Sequence, residues 1–117
     1  MRTRLWLVAA FIVAISAPAL ADRRSDAKVQ VDFGITCAQK ELWPRAVQLF
    51  EQATETDPSY AAAWNDLAVG YEQLGKLDDA RNAYEKAMKL DHGNQFIRNN
   101  YDQFREIYDR QNRRRDH

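Results

Sequence analysis

Residues 27–60 reappear, 34 positions further on, as residues 61–94. Under that shift Phe33-Gly34 falls on Leu67-Ala68, Cys37 on Tyr71, Ala46 on Ala80, Phe50 on Tyr84, Ala53 on Ala87 and Asp57-Pro58 on Asp91-His92. A period of 34 is the length of a helix–turn–helix unit in a stacked array. One such unit cannot bury its own apolar face, so the copies must stack, and a stack leaves a groove. The period therefore constrains the chain to an all-α solenoid, and it points to binding rather than to a reaction.

The second copy is the cleaner one. It reads Trp64-x-x-Leu67-Ala68-x-x-Tyr71, then Ala80-x-x-x-Tyr84 and Ala87. This resembles the tetratricopeptide-repeat signature W-x2-L-G-x2-Y, A-x3-F, P, with His92 where the proline stands. The first copy keeps Gly34, Ala46, Phe50, Ala53 and Pro58, but has Gln30 for the tryptophan and Cys37 for the tyrosine. Small residues at Gly34, Ala46, Ala68, Ala80 and Ala87 let helix axes approach. Phe33, Phe50, Trp64, Leu67, Tyr71 and Tyr84 then fill the seams. The resemblance implies a two-repeat right-handed superhelical solenoid, repeat 1 at 27–60 and repeat 2 at 61–94, closed by a capping helix at 95–112.

Residues 1–21 read as an address rather than as fold. Arg2 and Arg4 precede an uncharged apolar run of eleven, Leu5 to Ile15, and Ser16-Ala17-Pro18 breaks it. Ala19-Leu20-Ala21 then forms a small-x-small cleavage site, which completes a secretory signal layout. The run is short for a membrane span. We expect cleavage after Ala21 and delivery to a bacterial periplasm, or else to the extracellular space. Retention as an anchor is the competing outcome. Cleavage removes Arg2 and Arg4 from 17 basic residues, leaving 15 against 17 acidic in 96 residues. That balance gives no basic face for nucleic acid. A single cysteine, Cys37, cannot form an internal disulfide, and it reads as a small apolar group on the core face.

Residues 22–26 form a polar lead-in, with Ser25 or Asp26 available to cap a first helix over about 26–40. Val29, Phe33 and Cys37 make its expected apolar line, with Ala27, Ile35 and Ala38 beside them. Pro44 suits the first turn of a second helix to about 56. A third helix spans about 60–74 and ends at Gly75. A fourth starts near Leu77 with Asp78 and Asp79 in its first turn, where the helix dipole favours them. A fifth spans about 95–111 behind Asn94. Its stripe Ile97, Tyr101, Phe104, Tyr108, apolar inside and polar outside, suits the end of a stack. Residues 113–117 are a basic tail carrying Arg113, Arg114 and Arg115.

In tetratricopeptide arrays the first helix of each repeat lines the concave face. The resemblance therefore implies a groove built by Lys28, Val31, Ile35 and Gln39 from the first helix. The third helix would add Ala62, Asn65, Val69 and Gln73, and the fifth Phe96, Asn99, Gln103 and Ile107. These groups suit an apolar ridge together with hydrogen bonds to a peptide. The subtype that clamps a C-terminal carboxylate uses Lys, Arg and Asn. The corresponding positions here are Val31, Ile35, Asp66, Phe96 and Asn100, so that clamp is not expected. His92 and His117 are isolated, and no metal-binding or phosphate-binding motif is present. Neither catalysis, nor a cofactor, nor a metal is expected. The implied partner is a protein or peptide, with no nucleic acid and, once the signal is cleaved, no membrane. The alternative is a self-associating array that stacks through its first repeat, because about three repeats are usually needed for a stable solenoid.

Overall fold

The computed structural model describes residues 17–117, which form five helices. They are α1 (Ala17–Gln39), α2 (Trp43–Thr56), α3 (Ala61–Gln73), α4 (Leu77–Leu90) and α5 (Gln95–Arg115). Each helix packs on the next, and α3 also touches α1 and α5. The result is two layers, α1/α3/α5 and α2/α4, in a helix–turn–helix solenoid. The first sixteen residues, which hold most of the expected export signal, lie outside the described residues.

Local chemistry repeats with the same period. Gly75 has φ 73° and ends the α3 turn, and the Lys76 N–H reaches back to the Tyr71 carbonyl at 2.9 Å. One period earlier, Glu41 has φ 60° and the Leu42 N–H reaches the Cys37 carbonyl at 2.9 Å. The left-handed conformation costs a side-chain-bearing residue about 1–2 kcal/mol that glycine avoids. Pro44 lies in the first turn of α2, where its missing N–H breaks no bond. Asn94 caps α5 by accepting from the N–H groups of Phe96 (3.0 Å) and Ile97 (3.2 Å).

Close approach at two glycines sets the spacing of the first three helices. A methyl group on Gly34 would collide with the Phe50 ring, and one on Gly70 would stand 2.7 Å from Val47 Cγ2. Phe50 is thus the pin of the N-terminal half, buried between α1 and α3. In the second half Tyr84 takes its place. It packs tilted against Tyr101 and Phe104, with ring centroids 6.0 and 5.2 Å away. The Tyr84 hydroxyl donates to Glu72 at 2.8 Å. Burial, with that carboxylate beside it, pushes the phenol well above its ordinary pKa. Ile97 and Phe104 are fully buried, as a closing helix requires, and the Tyr108 hydroxyl donates to Asp78 at 2.8 Å.

The first helix departs from expectation twice. It starts at Ala17 rather than near 26, so residues 22–26 are helical and the expected cleavage position falls inside α1. Tertiary contacts hold this stretch. Arg24 pairs with Asp57, donates to the Ser59 hydroxyl at 3.3 Å and stacks 4.6 Å from the Tyr60 ring centre. Burial alone would raise the Asp57 pKa, but the Ser59 hydroxyl and amide together with Arg24 outweigh it and lower it. The phase of α1 is also different. Its buried line is Ala27, Val31 and Gly34, while Val29 and Phe33 are 54% and 62% exposed. The reason is positional: α1 has no helix before it among the described residues to receive that side. Cys37 is half-buried against the core.

Candidate functional site

The repeat register sorts the inner-layer side chains by direction. Positions 28/62/96, 35/69/103 and 39/73/107 follow one face of α1, α3 and α5, and it is open. Lys28, Ile35, Gln39, Gln73, Phe96, Gln103 and Ile107 are exposed there, with Ala62 and Val69 half-buried between them. Position 31/65/99 points elsewhere, towards the outer-layer helix of the same repeat. Val31 is consequently core, and Asn65 is buried. Asn99 is exposed because α5 has no such helix after it among the described residues, and it accepts a bond from Gln95 at 2.8 Å. Val31 and Asn99 therefore leave the expected groove set. Asn65 remains beneath its floor.

A hollow of about 260 Å³ opens between α1, α2 and α3, lined by Ile35, Ala38, Gln39, Trp43, Phe50, Asp66 and Val69. Its origin is a paired difference between the copies. In repeat 2 the positions equivalent to Ala38 and Phe50 are Glu72 and Tyr84, whose hydrogen bond fills the space. In repeat 1 both polar atoms are missing and the space stays empty. The walls are apolar apart from Gln39 and Asp66.

Asp66 is the charged group of this hollow. The Asn65 amide approaches its Oδ1 at 3.5 Å, while Asn65 Oδ1 accepts from Asn100 of α5 at 3.1 Å. Burial pushes the carboxyl up from 3.8 to about 6, the Asn65 bond opposing the rise. The unfolded chain ionises this group near 3.8, so between there and about 6 the folded state holds the extra proton. Stability from this group is full below about 4 and is lost as pH rises through about 6. Asp66→Asn is accordingly expected to raise the melting temperature at pH 7.5 and to change it little at pH 4. A gain of about 1 kcal/mol would read as roughly 4–8 °C in a domain of this size. Thermal scans at the two pH values check it. A variant equally shifted at both, or destabilised at pH 7.5, would contradict the assignment.

Of the residues expected in the groove, Ile35, Gln39 and Val69 line this hollow, and Ala38, Trp43, Phe50 and Asp66, which were outside that set, complete its walls. The missing signal was available: positions 32/66/100 share the phase of the groove, and Asp66 and Asn100 stand next to its floor.

The fold is shared with known proteins. Residues 61–94 match the family profile "Tetratricopeptide repeat". The chain is similar to the Arabidopsis thaliana protein "Tetratricopeptide repeat domain-containing protein PYG7, chloroplastic", 30% identical over 77 residues. That match covers 66% of this chain and 26% of the relative, so the chain spans about a quarter of the relative's length. Among solved structures, the Arabidopsis OM64 TPR domain superposes with a TM-score of 0.69 at 20% identity, covering 75% of this chain and 73% of that one. MamA AMB-1 gives 0.63 at 25% identity, covering 80% and 51%. The period of 34, the matched second copy and the shared solenoid agree: residues 61–94 are a tetratricopeptide repeat, set in a helix–turn–helix solenoid.

Proposed function

We propose that this protein is a non-catalytic interaction module whose concave groove takes a short partner segment carrying a basic side chain next to an apolar one. The observation behind this reading is the Asp66 carboxylate set in the apolar hollow of Ile35, Trp43, Phe50 and Val69. Ionised there at neutral pH, it costs the fold stability, and it has no cationic partner among the described residues. A lysine or arginine head supplied by a partner would offset that cost, while the hollow takes an adjoining apolar group. Gln39, Gln73 and Gln103 along the same face offer amides to the partner backbone.

Selection from a random peptide display library tests this. Enrichment of Lys or Arg beside an apolar residue is expected, with dissociation constants of order micromolar for so short a groove. Asp66→Asn should weaken the selected peptides about tenfold or more at pH 7.5, and wild-type affinity should fall as pH drops below about 6. Enrichment of acidic or C-terminal-carboxylate peptides would count against the reading. The proposal includes export directed by residues 1–21. The intact mass of protein recovered from its host should correspond to a chain starting at Asp22, and a full-length mass would reject cleavage.

A further inference from the structure

The 34-residue register shows that α1 exposes a face its counterparts bury. Val29 corresponds to Ala63 and Ile97, Phe33 to Leu67 and Tyr101, and Thr36 to Gly70 and Phe104. On α3 and α5 this side lies under α2 and α4, and Ala63, Leu67, Ile97 and Phe104 are all buried. On α1, Val29 and Phe33 stand in the open, with Asp32 and Thr36 bordering a shallow depression around them. Residues spaced by four and three extend the face into one line: Asp22, Asp26, Val29, Phe33 and Thr36, with Lys40 continuing it in the turn just after α1. The line lies roughly 140° round α1 from the groove residue Ile35, so a contact made along it is independent of the groove.

We infer that this line is a homodimer interface, in which α1 of one copy packs antiparallel on α1 of a second. The line is complementary to itself only in that orientation. With Val29 of one copy opposite Phe33 of the other, the same alignment places Asp22 opposite Lys40, at both ends of a two-fold contact. Lys40 also reaches Asp26 one turn further on. Asp22, Asp26 and Lys40 are exposed and have no ion-pair partner among the described residues. A parallel arrangement would instead set acid against acid and Lys40 against Lys40. Antiparallel packing also opposes the two helix dipoles favourably. A single pair of helices buries less than a standard interface of about 1,600 Å², so a dissociation constant in the micromolar range is expected.

Sedimentation equilibrium of the purified protein over roughly 1–200 µM tests the inference, that range bracketing micromolar affinity. A monomer–dimer equilibrium is expected. Phe33→Glu should weaken it about thirtyfold or more with helicity unchanged, since the side chain is already exposed. Lys40→Glu should weaken it less, and adding Asp22→Lys with Asp26→Lys in the same chain should restore it. A monomer throughout would overturn the inference and leave this face to upstream chain or to a different protein. A dimer indifferent to Phe33→Glu would place the contact elsewhere, the groove included. Failure of the charge exchange to restore association would reject the antiparallel register.

Discussion

Replacing Phe50 by alanine is expected to lower the unfolding free energy by about 3–5 kcal/mol, the usual cost of emptying a buried aromatic site. Three features place Phe50→Ala at the upper end. The ring is buried among α1, α2 and α3, it fills the notch left by Gly34, and it reaches the neighbourhood of Gly70. Helix backbones that meet at glycines have little room to collapse, so the cavity persists. It would also open into the hollow that Phe50 walls. Small domains have only about 5–15 kcal/mol in hand, so a large share of the molecules should unfold under mild heating. Urea unfolding followed by circular dichroism at 222 nm reads the change. A loss below about 1 kcal/mol, smaller than any ordinary aromatic truncation in a core, would mean that Phe50 does not hold the first repeat together.

Truncating Phe104 should cost a similar amount locally but act on a different part of the molecule. Phe104 is the fully buried centre of the α4–α5 seam, 5.2 Å from the Tyr84 ring and 5.6 Å from Tyr108. In a stacked array each unit is stabilised chiefly by its nearest neighbours. Phe104→Ala should therefore release α5 before the remainder. Amide hydrogen exchange ought to show residues 97–110 losing protection by two to three orders of magnitude, which is what about 3–4 kcal/mol corresponds to. Amides of α1 and α2 should change far less. Uniform loss along the chain would instead show that the five helices unfold as one unit, and the capping role of α5 would have to be given up.

The helix count, the order of the helices and the small-against-large seams other than that expected at Phe33 were legible in the sequence, because each follows from a period repeated in register. So were the stop at Gly75 and the start at Asn94, where one residue type answers one backbone requirement. The side of α1 that faces solvent was not legible. Phe33 carries the repeat pattern faithfully, but burial at that position depends on a preceding helix, and no residue of α1 encodes whether one exists. The start of α1 was hidden for a related reason. Asp22-Arg23-Arg24 looks like a solvated lead-in until Asp57 and Tyr60, more than 30 positions away, are brought against Arg24. Within the groove, Ile35 and Val69 lie on the open face, whereas Val31 turns into the core and Asn65 is buried beneath the floor, a difference of phase that the spacing alone does not resolve. Asp66 was legible only as a mismatch to a carboxylate clamp. Its meaning as a buried charge needed the apolar walls that α1 and α2 place around it.

The most direct test of the groove is a map of where a selected basic peptide binds. In a titration followed by amide chemical shifts, the largest changes should fall on Ile35, Gln39, Asp66 and Val69, with smaller ones at Gln73 and Gln103. The Asp66→Asn variant should show the same fold and no saturable shifts at the same peptide concentration. Shifts confined to the outer layer of α2 and α4, or to the Val29–Phe33 side of α1, would contradict a partner-binding groove.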